Sequence, residues 1–187
     1  MTRNNILWKR LDAPGHDVAR LWFKDLFWCL EGTSIFIEDR QICRLDYQVS
    51  CDTAWNTVSG KVLGWVGDKS IDVQFAADPD GHWMLNEFDS EEVKGCVDID
   101  LNFTPATNLL PIRRLQLPIG QKASVRSAWL KFPSFTLEIL EQTYHHVGPG
   151  IYRYETFDGK FVKDLTVDED GFVTHYPGLW AAEAESF

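Results

Sequence analysis

The feature that most limits what this chain can fold into is strict two-residue alternation. Across residues 96–103, Val97, Ile99, Leu101 and Phe103 fall on one side of an extended chain, and Cys96, Asp98, Asp100 and Asn102 on the other. A helix would scatter these residues around its axis, whereas a strand sorts them onto two faces. Residues 71–75 repeat the pattern, with Ile71, Val73 and Phe75 opposite Asp72 and Gln74. Similar runs cover 35–38, 43–51, 59–67, 83–88, 115–118, 123–132, 137–145, 151–155, 160–167 and 172–176. Turn-forming residues separate several of them. Asp78-Pro79-Asp80-Gly81, Asp158-Gly159 and Asp168-Glu169-Asp170-Gly171 each read as a hairpin turn. The C-terminal part is therefore predicted to be two successive hairpins, with Pro177-Gly178 ending the last strand. Helical signals are weak: residues 17–30 could hold an amphipathic turn or two, but their aromatics also suit a strand, and 137–142 are ambiguous. The predicted class is mostly β, with ten or more short strands in a half-barrel, barrel or large curved sheet and little helix.

The 187 residues carry no repeat or linker, so a single domain over 1–187 is expected. A chain of this length buries about 70% of its surface and needs no covalent staple. The net charge of −10 argues against non-specific nucleic-acid or anionic-membrane binding, both of which rest on excess Lys and Arg. Residues 1–11 lack the apolar run of a secretory signal, and nothing approaches the roughly 18 consecutive apolar residues of a membrane-spanning helix. A cytoplasmic protein without stable membrane insertion is expected. Cys29, Cys43, Cys51 and Cys96 match no zinc spacing and are expected to stay reduced.

Residues 103–118 break the alternation. Three prolines, Pro105, Pro111 and Pro118, do not suit a central strand, and an ordered crossover or lid-like loop is expected. Charge is also segregated. Residues 80–100 hold seven acids and one lysine; residues 101–137 hold no acid but carry Arg113, Arg114, Lys122, Arg126 and Lys131; residues 155–186 are acidic again. Either the basic segment docks on the acidic ones, or Arg113 and Arg114 build a site for an anion or a polar headgroup, to which the planar guanidinium fork is suited.

Recognisable reaction chemistry is sparse. Asp98 and Asp100 project from one strand face, where like charges raise one carboxyl and create an acid–base candidate, or where an arginine pairs with them structurally. His145 and His146 point to opposite faces of a strand, and His16, His82 and His175 have no partner at ligand spacing, so no metal is expected. The 168–171 turn fails the calcium-loop template at Thr166 and Pro177. No phosphate-binding, dinucleotide-binding or serine-nucleophile motif is present, no cofactor is implied, and nothing local marks a base for Cys51. Eight tryptophans are many for this length; core packing is the simplest use, and lining a pocket for acyl chains or stacking sugars is the other.

The long block from Gly95 to Leu115, GCVDIDLNFTPATNLLPIRRL, resembles a bacterial family described as glycolipid-binding. Trp8–Asp12, Tyr47–Asp52 with Trp55, Gly64–Asp68, Ala128–Pro133, Tyr152–Glu155, Asp164–Asp168 and Tyr176–Trp180 are also similar to its blocks. Residues 21–38 fit least well, with Trp22-Phe23 and Phe27-Trp28 as local departures. The resemblance implies one long, highly curved antiparallel sheet, similar to the half-barrel of bacterial lipoprotein-localisation factors, and a role in binding or metabolism of glycolipids. On that reading a small amphiphile is the partner. Its apolar part would lie in an apolar concavity lined by residues such as Trp55, Trp129, Tyr176 and Trp180. Arg113, Arg114, Asp98, Asp100, Thr107 and Asn108 would orient a polar head. An enzyme acting on a glycosylated or phosphorylated small molecule through Asp98 and Asp100 is the alternative. Oligomeric state is left open.

Overall fold

The structure, a computed structural model, describes residues 4–185. Residues 1–3, including Arg3 of the N-terminal segment, and 186–187, the tip of the acidic C-terminal stretch, lie outside the described residues. The strands are β1 (Asn4–Arg10), β2 (Gly15–Lys24), β3 (Phe27–Glu38), β4 (Gln41–Cys51), β5 (Thr57–Val66), β6 (Lys69–Ala77), β7 (Trp83–Leu85), β8 (Phe88–Asp89), β9 (Asp98–Leu101), β10 (Lys122–Leu130), β11 (Leu137–Gly148), β12 (Ile151–Thr156), β13 (Phe161–Val167), β14 (Val173–Tyr176) and β15 (Trp180–Glu185). Among the described residues one α-helix, α1 (Leu109–Leu115), lies between β9 and β10. All fifteen strands belong to one sheet, ordered 8-7-6-5-4-3-2-1-15-14-13-12-11-10-9, which is curved but not closed. Neighbours are antiparallel except β9 and β10, whose parallel pairing requires a crossover.

Several two-residue turns have consecutive positive φ angles, the geometry that matches strand twist. Asp25 and Leu26, at φ 50° and 69°, connect β2 to β3, and Asp39 and Arg40 do the same for β3 and β4. Neither turn contains Gly or Asn, so the sequence does not mark it. Of the two readings open for residues 17–30, the strand holds: a β-hairpin pairs Phe23 with Trp28 and Trp22 with Cys29. The ambiguous 137–142 stretch is the start of β11. Pro177-Gly178 ends β14 but not the sheet: β15 follows and pairs with β1, joining the N- and C-terminal halves.

The Asp98/Asp100 face of β9 runs from buried Asp98 to half-buried Asp100 at the edge of an open cleft. Ile99 and Leu101 are buried on one side, and Asp98 is fully buried on the other. The crossover or lid-like loop expected over 103–118 is an internal plug. Its helix buries Leu109, Leu110 and Ile112 in the same core as the inward residues of the sheet, so the concavity is filled by the chain itself. Pro111 is tolerated because it stands in the first helical turn, where its missing N–H has no intrahelical acceptor. The helix ends at Gln116, in the left-handed region at φ 43°, so 115–118 form a helix end rather than the expected strand.

Two tryptophans anchor the core by satisfying their indole N–H groups. Trp8 donates to the Val173 carbonyl at 2.6 Å and Trp83 to the Cys96 carbonyl at 2.9 Å. Gly32 in β3 faces Tyr47 in β4. A Cβ at Gly32 would overlap both the Tyr47 hydroxyl and the Val18 carbonyl, and the second cannot move without shifting β2. Gly32→Ala is therefore expected to destabilise by roughly 1–3 kcal/mol. Urea denaturation will check this, and an unchanged midpoint would show that the aromatic cover over Gly32 is dispensable.

Candidate functional site

A cleft of about 240 Å³ lies where the plug meets the C-terminal strands. One wall is aromatic: Trp129 of β10, Tyr154 of β12, Phe161 of β13, Tyr176 of β14 and Trp180 of β15, with Phe157 from the β12–β13 turn. The polar lining comes from β9 and the segment after it: Asp100 of β9, beside Trp129 in register, then Asn102, Thr104 and Asn108. The rings brace one another edge to face. Tyr154 stands 6.0 Å from Tyr176 and 6.1 Å from Phe161, and Trp129 stands 6.1 Å from Phe157. Such arrangements hold rings in place while leaving faces available for contact.

A hydrogen-bonded relay fixes the polar wall. The Ser127 hydroxyl donates to Gln142 Oε1 at 2.7 Å, which orients the amide so that Nε2 donates to Asp100 Oδ2 at 2.7 Å and to the Tyr154 hydroxyl at 2.9 Å. Burial pushes the Asp100 carboxyl up to about 6, the Asp98 charge adds to this, and the Gln142 bond opposes it. Asn108 is held by both ends of its amide, accepting from the Tyr144 hydroxyl at 2.8 Å and donating to the Pro105 carbonyl at 3.1 Å.

Of the residues the sequence points to, the cleft gathers Asp100, Asn108, Trp129, Tyr176 and Trp180. The others lie elsewhere. Asp98 and Arg114 form a bidentate ion pair, with Nε to Oδ1 at 3.0 Å and Nη2 to Oδ2 at 2.5 Å, so the plug's helix is tied to its own strand. Burial pushes the Asp98 carboxyl up and the guanidinium pulls it back. Thr107 is buried and accepts the Leu101 N–H at 3.2 Å. Trp55 stacks on Trp28 at 4.4 Å, nearly parallel, and the Arg113 guanidinium lies 5.1 Å from the centre of its ring. Through this stack Trp28 backs the residue that packs against the plug. Trp22 lies on the outer face beside Arg20.

Sequence reading missed Gln142, which carries no motif, and gave Tyr154 no role although it falls in the family-like block Tyr152–Glu155. It also treated His82 as isolated. Asp78, Asp80 and His82 converge in the exposed β6–β7 turn, with ligand atoms within 4.8 Å of one another. Asp78 is already engaged there, capping the His82 N–H at 2.9 Å and meeting its ring Nδ1 at 3.0 Å, so the trio serves the turn.

The fold and the cleft define a class of β protein that is also found elsewhere. The chain belongs to the family described as "Putative glycolipid-binding", which matches residues 5–182. A crystal structure of a DUF1089 family protein from Pseudomonas aeruginosa is similar at 30% identity and a TM-score of 0.78, covering 88% of this chain and 91% of that one. A beta-barrel-like protein of the DUF1849 domain from Brucella abortus has a TM-score of 0.58 at 7% identity over 98% and 97% of the two chains, and shares the fold alone. No curated protein matches the chain. Among the described residues no helix is long and apolar enough to cross a membrane.

Proposed function

We propose that the chain binds a glycolipid-type amphiphile through the aromatic cleft. One observation carries the reading: six aromatic side chains, Tyr154 among them, line a cleft of about 240 Å³ together with Asp100, which Gln142 holds in place from behind along with the Tyr154 hydroxyl. Aromatic faces pack on the C–H surfaces of sugars or on methylene groups, and placed carboxylate and amide groups take hydroxyls. At roughly 30 Å³ per water-sized group, the volume holds about eight such groups. That suits one ring or a short chain segment. The rest of the amphiphile lies outside, because the plug fills the concavity. Asp100, Asn108, Trp129, Tyr176 and Trp180 form the ligand surface in this reading, and Asp98, Arg114 and Thr107 hold the polar wall in position.

Binding is preferred over hydrolysis on geometric grounds. Glycoside hydrolysis ordinarily uses two carboxylates across the bond. Among the described residues Asp100 is the only carboxylate lining the cleft, and Asp98 is engaged by Arg114. The test is titration with n-octyl β-D-glucopyranoside below its micellar concentration, followed by calorimetry, together with mass spectrometry of lipids extracted after mild purification. Trp129→Ala is expected to weaken the octyl glucoside at least tenfold, about 1.4 kcal/mol, without moving the melting temperature far. Equal binding by wild type and Trp129→Ala, with no co-purifying amphiphile, would sink the proposal.

A further inference from the structure

The rim of the aromatic cleft carries a cation that no carboxylate neutralises. Three of the cleft's rings have a positive group over them. Arg10 lies 5.9 Å from the centre of Trp180, Lys131 lies 5.4 Å from that of Trp129, and Lys163 lies 5.6 Å from that of Phe161. Arg10 pairs with Asp12 at 2.8 Å and with Glu38 at 3.3 Å, and Lys131 pairs with Glu138 at 2.9 Å. The Lys163 ammonium has no ion-pair or hydrogen-bond partner among the described residues.

An unpaired lysine is ordinary where it is hydrated. Among the described residues, however, only Lys131 and Lys163 are half-buried lysines. Lys163 stands on the inward face of β13 between Phe161 and Leu165, in register with Tyr154 of β12. Its ammonium also lies beside the β14–β15 turn, where a Cβ added at Gly178 would stand 3.8 Å from Nζ. Phe161 lines the cleft, and so do Tyr176, Leu179 and Trp180 around that glycine. The charge is therefore held at the β13 side of the cleft's rim. Packing against Phe161 accounts for the methylenes of the lysine stem. It does not account for the charge, which loses hydration there with no counter-charge in return.

That placement selects a charge. Asp100 lines the cleft from β9, and Tyr154 separates it from Lys163. Tyr154 stands beside Lys163 in register, and its hydroxyl meets Gln142, which also holds Asp100. The cleft thus offers an acceptor for a hydroxyl on one side and a cation for an anion on the other. Its volume of about 240 Å³ has room for one sugar ring, which leaves a charged substituent of that ring at the rim. The net charge of −10 disfavours anions over the surface as a whole, so a preference for one needs a local cation. We infer that the headgroup of the amphiphile is anionic, a sugar bearing a carboxylate or a phosphate, and that Lys163 selects it. Lysine acts as a point charge, so either anion serves. The inference rests on the aromatic-cleft reading and names the class of ligand for that site.

The experiment is calorimetric titration of the full chain with n-octyl β-D-glucopyranoside and with n-octyl β-D-glucuronide, each below its micellar concentration. Free glucuronate and inorganic phosphate are titrated separately. Wild type is expected to bind the octyl glucuronide at least tenfold more tightly than the octyl glucoside. Lys163→Met keeps the stem and removes the charge. It is expected to bind the glucoside as wild type does and to lose the preference, whereas Lys163→Arg retains it. Lys163→Gln is a second variant that removes the charge. Three results would overturn the inference. The first is equal or weaker binding of the glucuronide by wild type, which needs no variant to read. The second is a preference that persists in folded Lys163→Met or Lys163→Gln. The third is binding of free glucuronate or phosphate as tight as that of the octyl glucuronide, which makes the site one for a free anion. Glucoside binding with no charge preference overturns this inference and leaves the cleft reading standing, whereas binding of neither amphiphile overturns both.

Discussion

Arg114→Ala is expected to lower the unfolding free energy by roughly 3–5 kcal/mol, the usual result of stranding one member of a buried ion pair. Asp98 is fully buried and both its oxygens meet the Arg114 guanidinium. With the arginine gone, the carboxylate keeps its desolvation cost and loses its counter-charge. Asp98→Ala is expected to cost less, because Arg114 is 22% exposed and can be rehydrated. The double variant Asp98→Ala, Arg114→Ala is expected to lose much less than the sum of the two single losses, since the charges leave together. Denaturant unfolding of the four proteins completes the cycle. Strict additivity would show that the pair contributes nothing as a pair and that the plug is held by its apolar residues alone.

Stability is also expected to fall as pH rises from about 4 to 7, with Asp17 as a main cause. Asp17 is fully buried on β2, and burial pushes its carboxyl up to about 7 against bonds from Ser34, Tyr47 and Thr104. The contacts themselves call for a proton. Tyr47 donates to Oδ1 at 2.7 Å, and Thr104 donates to Tyr47 at 3.1 Å. Ser34 Oγ lies 2.5 Å from Oδ2 and 3.3 Å from the Phe103 carbonyl. One hydroxyl proton cannot serve both acceptors. A protonated Asp17 leaves the Ser34 proton for Phe103, and every member of the chain is then satisfied. Below the unfolded value of 3.8 both states hold the proton and nothing is lost. Between there and about 7 the unfolded chain releases a proton that the native state keeps, so stability declines; above 7 the loss is complete. The span corresponds to about 4 kcal/mol at about 1.4 kcal/mol per tenfold. Asp100, raised to about 6, acts in the same direction. Asp17→Asn resembles the neutral acid. It is expected to match wild type near pH 4, exceed its urea midpoint at pH 8 and flatten the curve between. An equal deficit of Asp17→Asn at every pH would mean that Asp17 is ionised in the native protein.

The fold was largely legible, because a strand's two-residue period survives in the sequence wherever one face is wet. The hairpins at Asp78–Gly81, Asp158-Gly159 and Asp168–Gly171 carried their own turn chemistry. The hairpin at Asp25-Leu26 did not, since its positive φ angles are carried by residues with no preference for them. β1 and β15 went unmarked because each finds its partner across almost the whole length of the chain. The site was legible only in part. Asp100, Asn108, Trp129, Tyr176 and Trp180 stood out by type, but Gln142 and Tyr154 are ordinary strand residues whose roles exist only opposite Asp100.

By itself the sequence determined the class of structure and the composition of the central block. Alternation requires a sheet, three prolines argue against a central strand over 103–118, and charge segregation leaves the arginines either to dock on the acidic segments or to build an anion site. Only the tertiary structure decided what those groups do. The segment expected as a crossover or lid-like loop is the crossover from β9 to β10, and it fills the concavity by burying Leu109, Leu110 and Ile112. That one placement buries Asp98 with Arg114, leaves Asp100 on a cleft, and carries Arg113 to the cavity lined by His146, thirty-three positions along the chain. Local period reports which way a side chain points; which residues it meets depends on contacts distant in sequence, and those exist only once the sheet has curved around its plug.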